Sequence, residues 1–280
     1  MKKVTTGGKI AVYFLQLILI LIIFIPLVFA FVSSVRPLSE IYAYIRPLCL
    51  QTFFPKDFTP QAYVDIFTKY SYEIPLFNSI FIAATTIAFG IIINAMAGFA
   101  FAKFHFRFKN ILFVVVMITF MIPTDIISIN LYSLMIKINW INTYWALIVP
   151  GISSGLVIFM FRQFYYPFPN YMIESAMIDG FSWPKIFWYI VLPNSKPICV
   201  SAGLILFLSQ WETFLWPILV TRTPQMQTIQ IALVSFQTQY TKYWNDIFAA
   251  SIIAFIIPIL IIIPLQRFFV QGITLSGTKD

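Results

Sequence analysis

Charge is scarce in this chain. Asp, Glu, Lys and Arg make up 10% of its 280 residues, against roughly 25% in a soluble domain. There is one histidine, His105, and no HExxH, GxSxG or histidine pair, so little remains for acid–base or zinc chemistry. The phosphate-cradling GxxxxGK[ST] is missing too: Gly7-Gly8-Lys9-Ile10 has neither the spacing nor the hydroxyl. ATP hydrolysis is therefore not expected from this chain. The two cysteines, Cys49 and Cys199, form no CxxC, and one falls in a loop while the other falls in an apolar run. They are expected to stay unpaired and to bind no metal.

What the chain has instead is apolar length. Uncharged runs cover 10–35, 74–102, 138–161 and 247–266, and about 20 residues cross a hydrocarbon core. Two further runs, 111–136 and 197–221, are each interrupted by a single acid, Asp125 and Glu212. The expected fold is an all-α polytopic membrane protein of one domain, 1–280. Its six transmembrane helices fall at about 10–32, 75–102, 110–135, 140–162, 197–220 and 246–268. Continuous rather than alternating apolar runs exclude a β-barrel. The first run is too long for a signal peptide and lacks a small-residue cleavage site, so it is expected to be retained.

Basic residues orient the bundle. With a cytoplasmic N-terminus, the inner segments hold eleven basic residues, among them Lys103, Arg107, Lys109, Arg162 and Lys185. They hold three acids, Glu174, Asp179 and Asp280. The outer segments balance at seven and seven, so the whole net charge of +8 lies inside. The basic balance then needs no nucleic-acid partner to explain it. Both termini are expected in the cytoplasm of a bacterial cell, with a short polar tail over 271–280.

The outer segment, 33–73, is cut by Pro37, Pro47, Pro55 and Pro60. A short helix over 59–68 would present Tyr63, Ile66 and Phe67 to lipid or protein; a cap without any partner fits as well. Ala95, Gly98 and Ala102 permit close helix approach on the second span. The run Lys103-Phe104-His105-Phe106-Arg107-Phe108-Lys109 suits an interface anchor with snorkelling cations. His105 there reads as a surface residue.

The most informative stretch is the loop over 164–196. Residues 171–178 read as a short helix, with Ile173, Ala176 and Met177 on one stripe. Gly180 supplies a tight corner. Ser182 is placed to cap a second helix, with Pro184 in its first turn, ending at Leu192-Pro193. Such a knob, with polar flanks and an apolar stripe, is a docking surface.

Its spacing, Glu174-x-Ala176, then Gly180 and Ile190-x-Leu192-Pro193, resembles the EAA loop of ABC importer permeases, with Ser175 where alanine is usual. The resemblance implies a cytoplasmic coupling helix between the fourth and fifth spans. Its residues Glu174, Ser175, Ala176, Asp179, Gly180, Ile190, Leu192 and Pro193 would then meet an ATPase subunit. From about residue 34 onward the chain is also similar to the carbohydrate branch of that family. The matching segments include Asn78-Ser79, Met121-Ile122-Pro123, Asn142-Thr143, Arg162-Gln163-Phe164 and Phe214-Leu215-Trp216-Pro217. It departs at Glu212-Thr213 and in the tail, Ser276-Gly277-Thr278-Lys279. The implied partners are a second permease, two ATPase subunits that bind ATP and Mg, an extracellular solute-binding protein and a carbohydrate. This chain itself would hold no cofactor.

Asp125 and Glu212 each lie about fifteen residues from the inner end of their runs, roughly 22 Å up at 1.5 Å per residue. An acid at that depth normally faces a watery cavity or a partner, and Pro123 and Pro217 free carbonyls nearby. Asp125, Gln210, Trp211, Glu212 and Trp216 are thus candidates for the substrate path, where oxygens accept from sugar hydroxyls and indoles pack on C–H faces. The competing reading places them at the outer interface, with hydrated acids and an aromatic belt. A carboxylate-pair membrane enzyme, a channel, a peptide or amino-acid importer and a glycerol phosphate carrier are the competing functions.

Overall fold

The computed structural model describes residues 6–44, 49–239 and 243–274. In chain order the helices are α1 (Thr6–Ser34), α2 (Leu38–Tyr44), α3 (Leu50–Phe53), α4 (Gln61–Thr68), α5 (Glu73–Lys103), α6 (Lys109–Met121) and α7 (Thr124–Lys137). They continue with α8 (Tyr144–Ile152), α9 (Gly155–Tyr165), α10 (Asn170–Ile178), α11 (Trp183–Ile186), α12 (Lys196–Glu212), α13 (Leu215–Val220), α14 (Ile229–Gln239) and α15 (Trp244–Thr274). No strand occurs among the described residues. The chain divides into two compact units, one of 1–73 with 232–256, the other of 74–231 with 257–280.

Four described helical segments are long and apolar enough to cross a membrane: Val12–Ser34, Glu73–Lys103, Tyr144–Tyr165 and Trp244–Gln266. Two bent pairs raise the number to six if each counts as one span: Lys109–Met121 with Thr124–Lys137, at 101°, and Trp183–Val191 with Pro193–Glu212, at 42°. From Val12 to Phe31, α1 is almost wholly apolar and largely exposed, which suits a helix surrounded by lipid.

The stretch expected as a helix over 110–135 is two helices, bent by 101° at the break. Pro123 drives Ile122 into an extended conformation (ψ 120°) and restarts the helix as α7. The expected helix over 140–162 steps at Ser153-Ser154, both extended. The expected fifth helix, 197–220, ends at Glu212. A continuous helix would aim the Thr213 carbonyl at Pro217, which has no N–H and whose ring collides with it; Thr213 turns extended instead (ψ 123°). α14 was not anticipated. Of the expected tail, 271–274 belong to α15 and 275–280, with Ser276 to Lys279, lie outside the described residues.

In the first unit the described residues of the outer segment are tied together by side-chain hydrogen bonds. Arg36 is almost fully buried, and its guanidinium donates to the carbonyls of Val32, Gln51 and Thr52. Burial pulls its pKa below the usual arginine value, against the opposing pull of nearby Glu40. Glu40 in turn accepts from the amides of Lys56 and Asp57 at 3.2 and 2.8 Å. The short helix anticipated at 59–68 is α4. Its Ile66 is fully buried within the chain, Phe67 is exposed, and Tyr63 meets the Ser34 hydroxyl at 2.8 Å. Lys69 holds the Asp65 carboxylate at 2.5 Å and its pKa below the ordinary range.

The second unit is built on α5. Its Gly98 lets α9 approach so closely that a β-carbon would sit 2.5 Å from the Phe161 Cβ. Phe99, Phe161 and Tyr165 there join Ile173, Ala176, Ile186, Phe187 and Val191 in one core. The spanning helices and the loop after α9 thus share buried side chains.

Candidate functional site

That loop is a helical hairpin. α10 closes with a glycine cap: the Phe181 amide donates to the Ala176 carbonyl at 2.9 Å and the Gly180 amide to Met177 at 3.0 Å. The pattern demands a left-handed residue, and Gly180 has φ +82°. Ser182 is the N-cap residue of α11, as its position led one to expect, but its side chain makes no cap hydrogen bond. The chain then relaxes into one π-turn, Phe187–Val191, before Pro193. Pro193 cannot donate an amide bond, and side chains take over on this bend. Asn194 donates to the Ile190 carbonyl at 2.6 Å and Ser195 to Val191 at 2.6 Å. The Ser195 hydroxyl also meets the Tyr165 hydroxyl, 3.0 Å away on α9.

Two residues root the hairpin in α5. Phe99 sits against Tyr165, Trp183 and Phe187, with ring centroids 5.8 to 6.1 Å apart. Lys103 donates to the carbonyls of Tyr166 (3.2 Å) and Phe168 (2.6 Å) and to Asn170 Oδ1 (2.8 Å). This lysine is a clamp on the entry to α10, not the free snorkelling cation its sequence context suggested. Three carbonyl-type acceptors at one ammonium are invisible in sequence, because they lie more than sixty residues away.

The apex is open. Glu174, Ser175, Asp179, Gly180 and Pro193 are exposed, Ile190 and Leu192 are half-buried, and Ala176 is buried in the core. The anticipated stripe divides: Ile173 and Ala176 point into the core, whereas Met177 faces out. The outward apolar surface comes from residues the sequence reading passed over, Ile178 (87% exposed) and Tyr189 (72%) among them.

A second concavity, of about 510 Å³, lies among α7, α8, α12 and α13. Asp125, Gln210, Glu212 and Trp216 all line it, with Ser128 and Thr213. Trp211 does not: it is buried, stacks on Phe207 at 5.4 Å, and its carbonyl accepts from Gln230 at 3.0 Å. A one-residue step along a helix rotates a side chain by about 100°, which carries Trp211 to the other face from Gln210 and Glu212. Pro150 explains the seat of Trp216. It has no N–H for the Ala146 carbonyl four residues earlier, and the Trp216 indole supplies one at 2.8 Å. Gln210 Nε2 donates to the Leu147 carbonyl at 3.2 Å, leaving its oxygen for a ligand. No lysine or arginine is among the lining residues. The recess offers mainly acceptors, so it suits a ligand rich in hydrogen-bond donors.

Asparagines hold these broken helices together. Asn94 donates to the carbonyls of Gly90 and Ile152 and accepts from the Ser154 amide at 2.9 Å. Asn78 donates to the Gln225 and Gln227 carbonyls and accepts from the Tyr144 hydroxyl at 2.6 Å. Asn142, with φ +62°, receives the Arg222 and Thr223 amides. Only Asn78 and Asn142 stood in segments singled out from sequence.

A model of the family described as binding-protein-dependent transport system inner membrane component matches residues 90–275. The chain is 32% identical over 255 residues to an arabinooligosaccharide transport system permease protein, AraQ, of Halalkalibacterium halodurans, covering 91% of this chain and 90% of that one. It is 34% identical over 265 residues to the sn-glycerol-3-phosphate transport system permease protein UgpE of Brucella melitensis, covering 91% and 92%. A chain of a bacterial ABC transporter that imports the acidic polysaccharide alginate superposes with a TM-score of 0.83 at 16% identity, over 95% of this chain and 98% of that one. At that identity the likeness speaks for the fold.

Proposed function

The chain belongs to the family of binding-protein-dependent transport system inner membrane components, and from that premise we propose that it is one permease subunit of an ATP-driven carbohydrate importer. It is a multi-pass membrane protein and a transporter subunit, not an enzyme. The proposed assembly adds a second permease, two ATPase subunits that bind ATP and Mg, and a solute-binding protein outside the cell. In this reading α6 with α7 makes one span and α12 begins the fifth, giving six, with both termini and the α10–α11 hairpin in the cytoplasm.

One observation carries the proposal. An open apex is fixed to the spanning helices through a shared core and the Lys103 clamp. A hairpin so rooted passes a push from the ATPases to α5, α9 and α12 as a rigid body. Gly180→Asp tests it. Nothing lies within 4 Å of a β-carbon built there, so the left-handed backbone costs only about 1–2 kcal/mol and the variant still inserts. The new carboxylate faces the docked ATPase. Membrane levels should stay normal while ATPase copurification and sugar-stimulated hydrolysis are lost; normal copurification and hydrolysis would count against the assignment.

The acceptor-lined recess is the proposed sugar path. The carboxylates of Asp125 and Glu212 would take sugar hydroxyl protons, and a hydrogen bond to a charged group contributes about 1.5–3 kcal/mol. Asp125→Ala and Glu212→Ala should each lower uptake roughly tenfold or more, with unchanged assembly. Unaltered uptake in both would remove the recess from the path. Some relatives carry glycerol phosphate, but a phosphate ester here would meet two acids and no lining cation.

A further inference from the structure

A different recess, of about 700 Å³, opens where the α5–α6 turn meets α9, lined by Ala102, His105, Lys109, Asn110, Arg162 and Tyr166 with the rings of Phe106 and Phe108. Two cations share it without a carboxylate: the ion pair found among the described residues is Lys69–Asp65. The Arg162 guanidinium lies 4.1 Å over the Phe113 ring, and its Nε is buried with no acceptor. Lys109 donates once, to the Phe104 carbonyl at 2.8 Å, so its ammonium keeps further N–H groups. The start of α6 has no side-chain cap and is entered through Phe108 at a left-handed φ of 65°. Backbone strain of this kind collects at ligand sites, and helix-start amides favour an anion.

What leads away from the recess narrows the anion. None of the thirteen residues of α6 is buried. Ile111, Val115 and Ile118, at 61%, 50% and 50% exposure, form one stripe running from the recess along the helix. In the proposed six-span reading, on which this rests, that stripe faces hydrocarbon, so a molecule that reaches the recess along it comes from the bilayer. A molecule with a phosphate at one end and hydrocarbon at the other fits both. We propose that this recess binds the phosphodiester of an anionic phospholipid, with an acyl chain along Ile111, Val115 and Ile118. Tyr166, whose carbonyl Lys103 holds, lines the same recess, so the lipid stiffens the root of the hairpin.

The test uses the full chain purified in detergent, with retained lipid read by native mass spectrometry. The probes are dioleoyl phosphatidylglycerol, dioleoyl phosphatidylcholine and inorganic phosphate. Each cation near a lipid headgroup is worth about fivefold in binding, so phosphatidylglycerol should be preferred over phosphatidylcholine by roughly twentyfold. Lys109→Gln should cut phosphatidylglycerol retention about fivefold and leave phosphatidylcholine unchanged; Arg162→Gln should do the same and Arg162→Lys should restore it. If Arg162→Gln does not fold, Lys109→Gln decides alone, since it gives up a single carbonyl contact at the start of a helix. Equal retention of the two lipids, or no loss in Lys109→Gln, overturns the proposal. So does displacement of phosphatidylglycerol by millimolar phosphate, which marks a free-anion site. Intact lipid retention in Lys109→Gln with lost ATPase copurification overturns it too, by assigning the cation to a protein partner.

Discussion

Asn94→Leu should unfold the second unit at temperatures where the parent protein is stable. Asn94 is fully buried on α5. The step between α8 and α9 leaves the Ile152 carbonyl and the Ser154 amide outside any helical ladder, and this one side chain satisfies both, at 2.7 and 2.9 Å. Water normally rescues such groups, but none is at hand inside a hydrocarbon core, where each unpaired group costs several kcal/mol. Two orphans therefore remove about 4 kcal/mol or more, against a total stability of roughly 5–15 kcal/mol. For a domain of about 200 residues that lowers the melting temperature by roughly 10 °C, read by thermal unfolding in detergent. Leucine keeps asparagine's branched heavy-atom shape while its methyls are bulkier and cannot hydrogen-bond, so a shift below about 2 °C would show that the step is held by packing, not by the amide.

The second large effect belongs to Gly98. A β-carbon there would lie 2.5 Å from the Phe161 Cβ and 2.9 Å from the Arg162 amide nitrogen. Neither atom can swing aside, because one is backbone and the other is fixed to it. α5 and α9 must separate, and the core that joins them to the hairpin opens with them. Overpacking of this kind costs about 1–3 kcal/mol for a small addition and more for a larger one. Gly98→Ala should be measurably destabilised, and Gly98→Val should not accumulate as folded protein. Gly203→Ala in α12 is the control. Its nearest neighbours would sit at 3.4 and 3.5 Å, ordinary contact, so relief of glycine's backbone entropy should leave it neutral or stabler by up to about 1 kcal/mol. Equal loss at both positions would mean that helix propensity, not close approach, governs these sites.

The hairpin was legible because its signals are local. Gly180 takes the left-handed corner, and Pro193 marks the bend, whatever surrounds them. The family resemblance added the expectation that this hairpin couples to a motor. The recess was half legible: Asp125, Gln210, Glu212 and Trp216 do come together, yet Trp211 turns into the core. A stretch that is apolar on nearly every face gives no stripe from which to choose the buried side.

Taken alone, the amino-acid order determined that this is an all-helical membrane chain with several apolar spans, and that a helical hairpin turns at Gly180. Hydrophobic length, proline and glycine act within a few residues, so they can be read along a line. Tertiary structure alone decided that the chain steps at Ser153-Ser154 and Thr213 and that Asn94, Lys103 and Trp216 supply the bonds these steps and loops lack. In lipid a carbonyl or amide freed by a break must find a protein partner, and the partner is chosen by proximity in space, on a helix some sixty or seventy residues away in sequence.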